Sequence, residues 1–382
     1  MQKRLTPRFL VAIFLLVPVV VFADAETFTF KPGGRLMFDV ASYSEDRNSL
    51  DDDHELRRIR LEAEGVLFSN WEYDFSVEFA GKGSEIKDAW LAYDPTTGSR
   101  LILGQYREPF GLEELTSSNR ITFMERALPG EFAPGRKLGA GFRHSTGRWT
   151  AAAGVFGESH EDYTNDDDDG RWDVTGRVTY ALPLNTEGIL HLGLALSRHD
   201  TGSAGEVKYS ARPESHLSII KYANTGKIKN TQAVWLYGTE LLAIRNNLSF
   251  QAEYVQANLQ RDGGNDDLNF QGWYGYASWV VTGESRAYKA RKAAPGRIKP
   301  KHQWGAWELA LRYSQLDLND THAVSGGREQ NVTLGLNWYI NRHARLMLNH
   351  VRVSNDRLAD DDGDVLGSDK PHITQARLQF TF

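Results

Sequence analysis

Cysteine is absent from the 382 residues, which excludes disulfides, thiolate metal sites and cysteine nucleophiles together. A basic surplus is absent too. The chain has 44 Lys and Arg against 50 Asp and Glu, a formal charge of −6, whereas a nucleic-acid binder carries a basic excess. Proline is scarce, at 12. No G-x-S-x-G, phosphate-binding loop or H-E-x-x-H occurs, and no assembled catalytic constellation is visible. The histidines are scattered. His191 and His199 share one segment and read as satisfied polar residues rather than metal ligands. Beyond the N-terminus no apolar run approaches the length of a spanning helix, and the mean hydropathy is negative. A helical membrane protein is therefore excluded.

The one long apolar run is N-terminal. Lys3, Arg4 and Arg8 precede an uncharged stretch from Phe9 to Phe22, and Ala23-Asp24-Ala25 reads as an A-x-A cleavage site. Residues 1–25 are expected to be a secretory signal, with 26–382 as the exported domain. If that domain meets a membrane, only a closed barrel satisfies its backbone in lipid.

Its dominant period is two. Trp71, Tyr73, Phe75, Val77 and Phe79 alternate with Glu72, Asp74, Ser76 and Glu78. The same alternation recurs at Leu248–Tyr254, Trp307–Tyr313, Val332–Ile340 and Ala376–Phe382. These runs are longer than soluble strands and match tilted membrane strands of about ten residues. One face is aromatic and apolar and the other carries charge. Trp71, Trp149, Trp172, Trp304, Trp307, Trp338, Tyr339 and Phe382 fall near strand ends, where interfacial girdles sit. Sixteen strands are expected, near 34–43, 55–67, 71–80, 85–93, 100–107, 137–144, 148–157, 171–181, 189–199, 232–244, 247–259, 267–282, 304–317, 328–341, 344–354 and 370–382. Short turns alternate with long polar loops, which include Asp51–Asp53, Asp166–Asp169 and Asp360–Asp364. The expected fold is all-β, a sixteen-stranded antiparallel transmembrane barrel, with both termini on the short-turn side.

Three connections break this rhythm: 108–136, 200–231 and 283–303. The first has helical spacing around Glu113–Leu115 and Ile121–Leu128. Long loops of this kind are usually functional, and a sixteen-stranded barrel has an aqueous interior. The three are expected to fold inward and narrow it. Segment 285–303 holds Arg286, Lys289, Arg291, Lys292, Arg297, Lys299 and Lys301 with no acid. The second loop carries Lys208, Arg212, Lys221, Lys227 and Lys229 against Glu206 and Glu214. The first mixes Arg107, Arg120, Arg126 and Arg136 with five glutamates. By alternation Arg58, Arg60, Arg171, Arg177, Arg312 and Arg377 face the lumen, as do Glu62, Glu64, Glu72, Asp74 and Glu78. Confined positive charge gathers anions, and rings of Arg and Lys imply an anion path. The bland alternative is that these bases are neutralised across strands by the lumen acids.

Glu108-Pro-Phe-Gly-Leu-Glu-Glu-Leu-Thr-Ser-Ser-Asn119, Phe123-Met-Glu-Arg126 and Phe132-Ala-Pro-Gly-Arg136 together resemble the constriction loop of phosphate-selective porins O and P. So do Leu56-Arg-Arg-Ile-Arg-Leu61, Ile86-Lys-Asp-Ala-Trp90, Gly104-Gln-Tyr-Arg107, Ser210-Ala-Arg-Pro-Glu-Ser-His216, Thr282-Gly-Glu284 and Gly305-Ala-Trp-Glu-Leu-Ala310. The blocks run in order over nearly the whole exported chain. The resemblance implies a trimeric outer-membrane porin with an arginine ladder leading to a basic constriction. Arg57, Arg58 and Arg60 match its basic strand, Arg212 and Lys221 its second inward loop, and 285–303 its inward periplasmic connection. Residues 112–136 contain no lysine, only Arg120, Arg126 and Arg136. The expected function is a passive, anion-preferring outer-membrane channel for phosphate or polyphosphate, needing no cofactor and touching no nucleic acid. Its expected partners are solute anions, membrane lipid and lipopolysaccharide, and two further copies of the chain. A general or sugar-permeable pore is the alternative. Replacing Arg58, Arg60 and Arg212 by Glu is expected to reverse the ion preference.

Overall fold

The computed structural model describes residues 28–81, 83–159, 171–185, 188–202, 205–320, 324–356, 360–361, 364–365 and 367–382. Its strands in chain order begin with β1 (Lys31–Ser44), β2 (Asp53–Leu67), β3 (Trp71–Glu78), β4 (Glu85–Tyr93) and β5 (Ser99–Arg107). β6 (Arg136–Ser145), β7 (Trp149–Phe156), β8 (Asp173–Asn185) and β9 (Gly188–Asp200) follow. Then come β10 (Ser210–Ala211), β11 (Ala223–Asn224), β12 (Thr231–Arg245), β13 (Leu248–Arg261) and β14 (Leu268–Val280). β15 (Arg286–Lys289), β16 (Ala294–Ile298), β17 (Ala306–Asp320), β18 (Val324–Tyr339) and β19 (Ala344–Asn355) lead to β20 (Asp360–Asp361), β21 (Asp364–Val365) and β22 (His372–Thr381). The sixteen long strands close into one barrel in which every neighbouring pair is antiparallel, and β22 pairs back onto β1. They coincide one for one with the sixteen expected from alternation. β10–β11, β15–β16 and β20–β21 are separate two-stranded hairpins.

The signal segment 1–25 and the acidic tip Asp166–Asp169 lie outside the described residues, as do the side chains of Asp360–Asp364. Turns at one rim are short, such as Asn246-Asn247, where Asn246 takes a φ of 54° that asparagine tolerates better than most residues. Aromatic pairs mark this rim outside: Trp71–Tyr93 at 4.9 Å, Trp149–Tyr180 at 4.6 Å and Trp307–Trp338 stacked at 5.2 Å. Tyr339 departs from the expected girdle. It follows Trp338, so the pleat turns it inward. There it is buried, and its hydroxyl donates to Glu308 at 2.7 Å.

The pleat also misplaces Arg57, which alternation sends outward. Met37 pairs with Arg58 and Phe38 with Leu56, so Arg57 is the extra residue of a β-bulge. The bulge brings Arg57, Arg58 and Arg60 all to the inside. In β5, Gly104 has φ +127°, and a Cβ there would lie 2.2 Å from the Ala89 carbonyl. Only glycine fits that strand position.

The interior is filled on one side. In the first inward loop, Phe110, Leu128 and Phe132 bury against Tyr209, Val255, Phe270 and Leu316. Phe123 and Ala127 bury against Tyr274, Tyr276 and Ala310. Leu112 buries against Leu242, Ile244 and Ala294. Each such aromatic or aliphatic burial is worth roughly 1.5–3 kcal/mol. The loop is thus pressed onto the wall from β12 round to β17. The lumen face of β2 to β6 stays half-exposed and borders the remaining space.

Candidate functional site: a cationic passage under the inward loop

The loop is held by its carbonyls. α1 (Leu112–Leu115) is one turn, and the Leu112 and Glu113 N–H groups donate to the Glu253 carboxylate at 2.6 and 2.7 Å, an acid at the positive end of the turn. The helical spacing over 121–128 does not form a helix. Wall arginines take the carbonyls instead. Arg345 donates to the Ile121 and Thr122 oxygens at 2.8 and 3.0 Å. Arg312 donates to the Glu125 oxygen at 3.0 Å and lies over the Phe123 ring. Arg377 donates to the Met124 oxygen. Arg286 donates to Thr122 Oγ1 at 2.9 Å. These four guanidiniums are buried, and three have carboxylate partners: Arg286 has Glu308, Arg312 has Glu214, and Arg377 has Asp39 and Glu125. Arg312 and Arg377 therefore act as clamps behind the loop rather than as open lining, and Arg286 clamps the loop while also bordering the short-turn rim.

The β15–β16 hairpin of the connection 281–305 is fastened the same way. Arg177 donates to the Ala293 oxygen at 3.0 Å while paired with Glu240, and Tyr288 meets His191 at 2.8 Å. His199 meets Asp173. Both histidines are thus satisfied.

A second rank of bases borders open space but is paired. Arg57 meets Glu125 at 2.9 Å, Arg58 and Arg60 share Glu78 at 3.4 and 3.0 Å, and Arg136 meets Asp88 at 2.8 Å. Arg107 and Arg126 share Glu114 at 2.8 and 3.1 Å. Arg35, which donates to Ser118 of the loop at 2.9 Å, meets Glu62.

The third group has no carboxylate within 4.0 Å among the described residues: Arg120, Arg143, Lys289, Lys292 and Arg297. All five line one cavity of about 450 Å³ between the loop, the hairpin and the β1–β8 wall. Twelve bases and four acids line it. Of the acids Glu62 and Asp88 are paired, which leaves Glu64 and Asp74 against the free cations and Lys31. A second cavity of about 640 Å³ opens at the short-turn rim, lined among the described residues by six bases, Arg120, Arg286, Arg297, Lys299, Arg342 and Arg345, and by no acid. Arg120 and Arg297 belong to both cavities. They stand at the boundary between the two.

Burial first, and crowding of like charge second, lower the proton affinity of these groups. Burial, then Arg120, Lys292 and Arg297, push the Lys289 ammonium down to about 8. Burial, then Arg120 and Arg143, push Lys292 down. Burial and Arg297 push Arg120 down. A confined cluster of this kind focuses a positive potential into the passage and raises the local anion concentration.

Of the remaining expected site residues, Arg212 is exposed and Lys221 half-buried in the second loop, on the long-loop side. Arg291, Lys299 and Lys301 are exposed on the short-turn side. Residue-by-residue reading passed over Lys31, Arg35, Arg100, Arg143 and Arg345. The signal was present: Arg35, Arg143 and Arg345 alternate with Leu36, Phe142 and Leu346, which are exposed on the outer face.

The sequence model of the family described as "Phosphate-selective porin O and P" matches residues 30–382. Porin O of Pseudomonas aeruginosa is 27% identical over 406 residues, covering 95% of this chain and 90% of the relative. An uncharacterised protein of Caulobacter vibrioides is 29% identical over 84% of this chain and 68% of its own length. Among solved structures, the trimer form of OmpT from Vibrio cholerae superposes with TM-score 0.59 at 12% identity, covering 93% of this chain and 99% of the other. An anion-selective porin from Comamonas acidovorans superposes with TM-score 0.58 at 15% identity and the same coverage. The chain belongs to the phosphate-selective porin O and P family and is a porin of the bacterial outer membrane, not an enzyme.

Proposed function

We propose that the chain forms a passive, anion-preferring diffusion channel whose solutes are phosphate-like oxyanions. The carrying observation is the group Arg120, Arg143, Lys289, Lys292 and Arg297, which has no carboxylate within 4.0 Å among the described residues at the passage beneath the loop. Guanidinium forks and ammonium donors replace the hydration of a tetrahedral oxyanion as it passes. The paired rank above serves as a polar wall of low net charge. Arg212 and Lys221 provide the external approach, and Lys299 and Arg342 the exit. The family relationship supports phosphate as the solute and a homotrimer as the assembly. Residues 1–25 serve as the secretory signal, so the mature chain begins at Glu26.

In planar bilayers carrying chloride current, added phosphate should block the channel at concentrations where sulfate or chloride substitution does not. Absence of block would leave a general anion pore. A sugar pore is the second reading, because Trp90 and Tyr106 line the same cavity and offer ring faces. Block by oligosaccharide and not by phosphate would favour it.

A further inference from the structure

We propose that, among phosphate-like anions, the passage favours those that carry a primary ammonium beside the oxyanion, with the phosphoryl group held on the hairpin bases Lys289 and Lys292 and the ammonium on Glu64 and Asp74. The solute class is an amine-bearing phosphomonoester or phosphonate. The inference rests on the oxyanion reading above and names a solute class within it.

Glu64 of β2 stands directly across the ladder from Asp74 of β3, and Asp74 across from Trp90 of β4. All three border the cavity of about 450 Å³ under the loop. Glu64 is exposed, and Asp74 and Trp90 are half-buried. Neither carboxylate has a basic group within 4.0 Å among the described residues. Lys31, across the ladder from Glu64, is exposed and closes no ion pair with it. The other two acids of the cavity are paired, Glu62 with Arg35 and Asp88 with Arg136.

The hairpin bases rise from another part of the wall. The Ala290 and Ala293 carbonyls accept from Thr150 of β7 at 3.4 Å and Arg177 of β8 at 3.0 Å, four and five strands round the barrel from β3. Cations and carboxylates thus face each other over the space. Burial, then Arg120 and Arg143, push Lys292 down, while Glu64 and Asp74 act the other way. Glu64 also opposes the downward push at Lys289 and Arg120. The two signs are within electrostatic reach, yet no ion pair closes the gap between them.

Unpaired carboxylates lower the anion potential of the passage, and a bare phosphate gains nothing from them. An ammonium does. It meets two carboxylates and, beside them, an indole whose face attracts cations. Asn119 adds a separate sign of a donor-bearing solute. It borders the same cavity, is 7% exposed, and its side-chain oxygen meets no donor among the described residues. That oxygen suits an N–H or O–H and not a phosphate.

The test measures block of chloride current through the full chain in planar bilayers at pH 7. The probes are inorganic phosphate, ethyl phosphate, 2-aminoethyl phosphate and its N-acetyl derivative, which keeps the length and loses the cation. Wild type should be half-blocked by 2-aminoethyl phosphate at a concentration about fivefold lower than by ethyl phosphate, and N-acetylation should remove the gain. Glu64→Gln combined with Asp74→Asn should erase the preference and leave block by ethyl phosphate intact or stronger. Wild-type block by phosphate, with the three esters equal, would overturn this inference and leave the oxyanion reading standing. So would a preference that survives in the double variant. Absence of block by phosphate and by every ester would overturn both.

Discussion

Towards the long-loop end of the lumen, Arg57, Arg58, Arg60, Arg107, Arg126 and Arg136 each lie against Glu78, Asp88, Glu114 or Glu125. Towards the short-turn end, Arg120, Arg143, Lys289, Lys292 and Arg297 lie against no carboxylate among the described residues. The residue types are alike, and the barrel wall is continuous between them. What differs is the neighbourhood. For Arg58, Arg60 and Arg136 the counter-ions Glu78 and Asp88 stand on nearby strands and are turned inward by the same pleat, while Arg57, Arg107 and Arg126 meet Glu125 and Glu114 of the inward loop. The second is assembled from three separate segments: the tip of the inward loop, the end of β6 and an acid-free stretch of the 281–305 connection. A basic lumen residue is therefore no guide to selectivity until its partner is known.

The contrast can be broken most sharply at the clamps that keep the two ranks apart. Arg377→Ala leaves Asp39 without its buried partner and frees the Met124 carbonyl. Removing one member of a buried pair costs about 3 kcal/mol or more. The variant should unfold at lower denaturant concentration and show larger, noisier single-channel currents as the loop loosens. Next in size, Arg120→Gln with Arg297→Gln should lower the anion-to-cation permeability ratio about tenfold, measured from reversal potentials in a salt gradient.

A smaller effect follows from protonation. Lys289 is cationic below about 8 and neutral above it, so its contribution to the positive potential is present at neutral pH and lost as pH rises through that value. Anion selectivity should fall between pH 7 and 9, and Lys289→Arg should abolish that step. The smallest change is expected in the paired rank. Arg58→Gln should alter selectivity less than the Arg120 and Arg297 pair does, by about twofold, because Arg58 shares the Glu78 carboxylate with Arg60. Glu78→Gln, which unmasks two arginines, should raise it.

The barrel was legible because a two-residue period extends over each strand, and lipid on one side and water on the other leave no other solution. The inward loop was legible as a break in that rhythm. Its local form was not. Spacing over Ile121–Leu128 suggests a helix, yet Arg312, Arg345 and Arg377 take the carbonyls a helix would need. Those arginines are distant in sequence, so no window around the loop contains them. The bulge that turns Arg57 inward depends on β1, its neighbour strand, and not on β2 itself. Pairing was the other blind spot: alternation gives the face a charge occupies but not the carboxylate it meets.

The most direct measurement compares two triple variants in the same bilayer under one potassium chloride gradient. Arg120→Gln, Lys292→Gln and Arg297→Gln together should bring the reversal potential close to that of a non-selective pore. Arg58→Gln, Arg60→Gln and Arg136→Gln together should leave it near wild type. If the second triple abolishes anion preference and the first preserves it, the unpaired cluster is not what selects the solute.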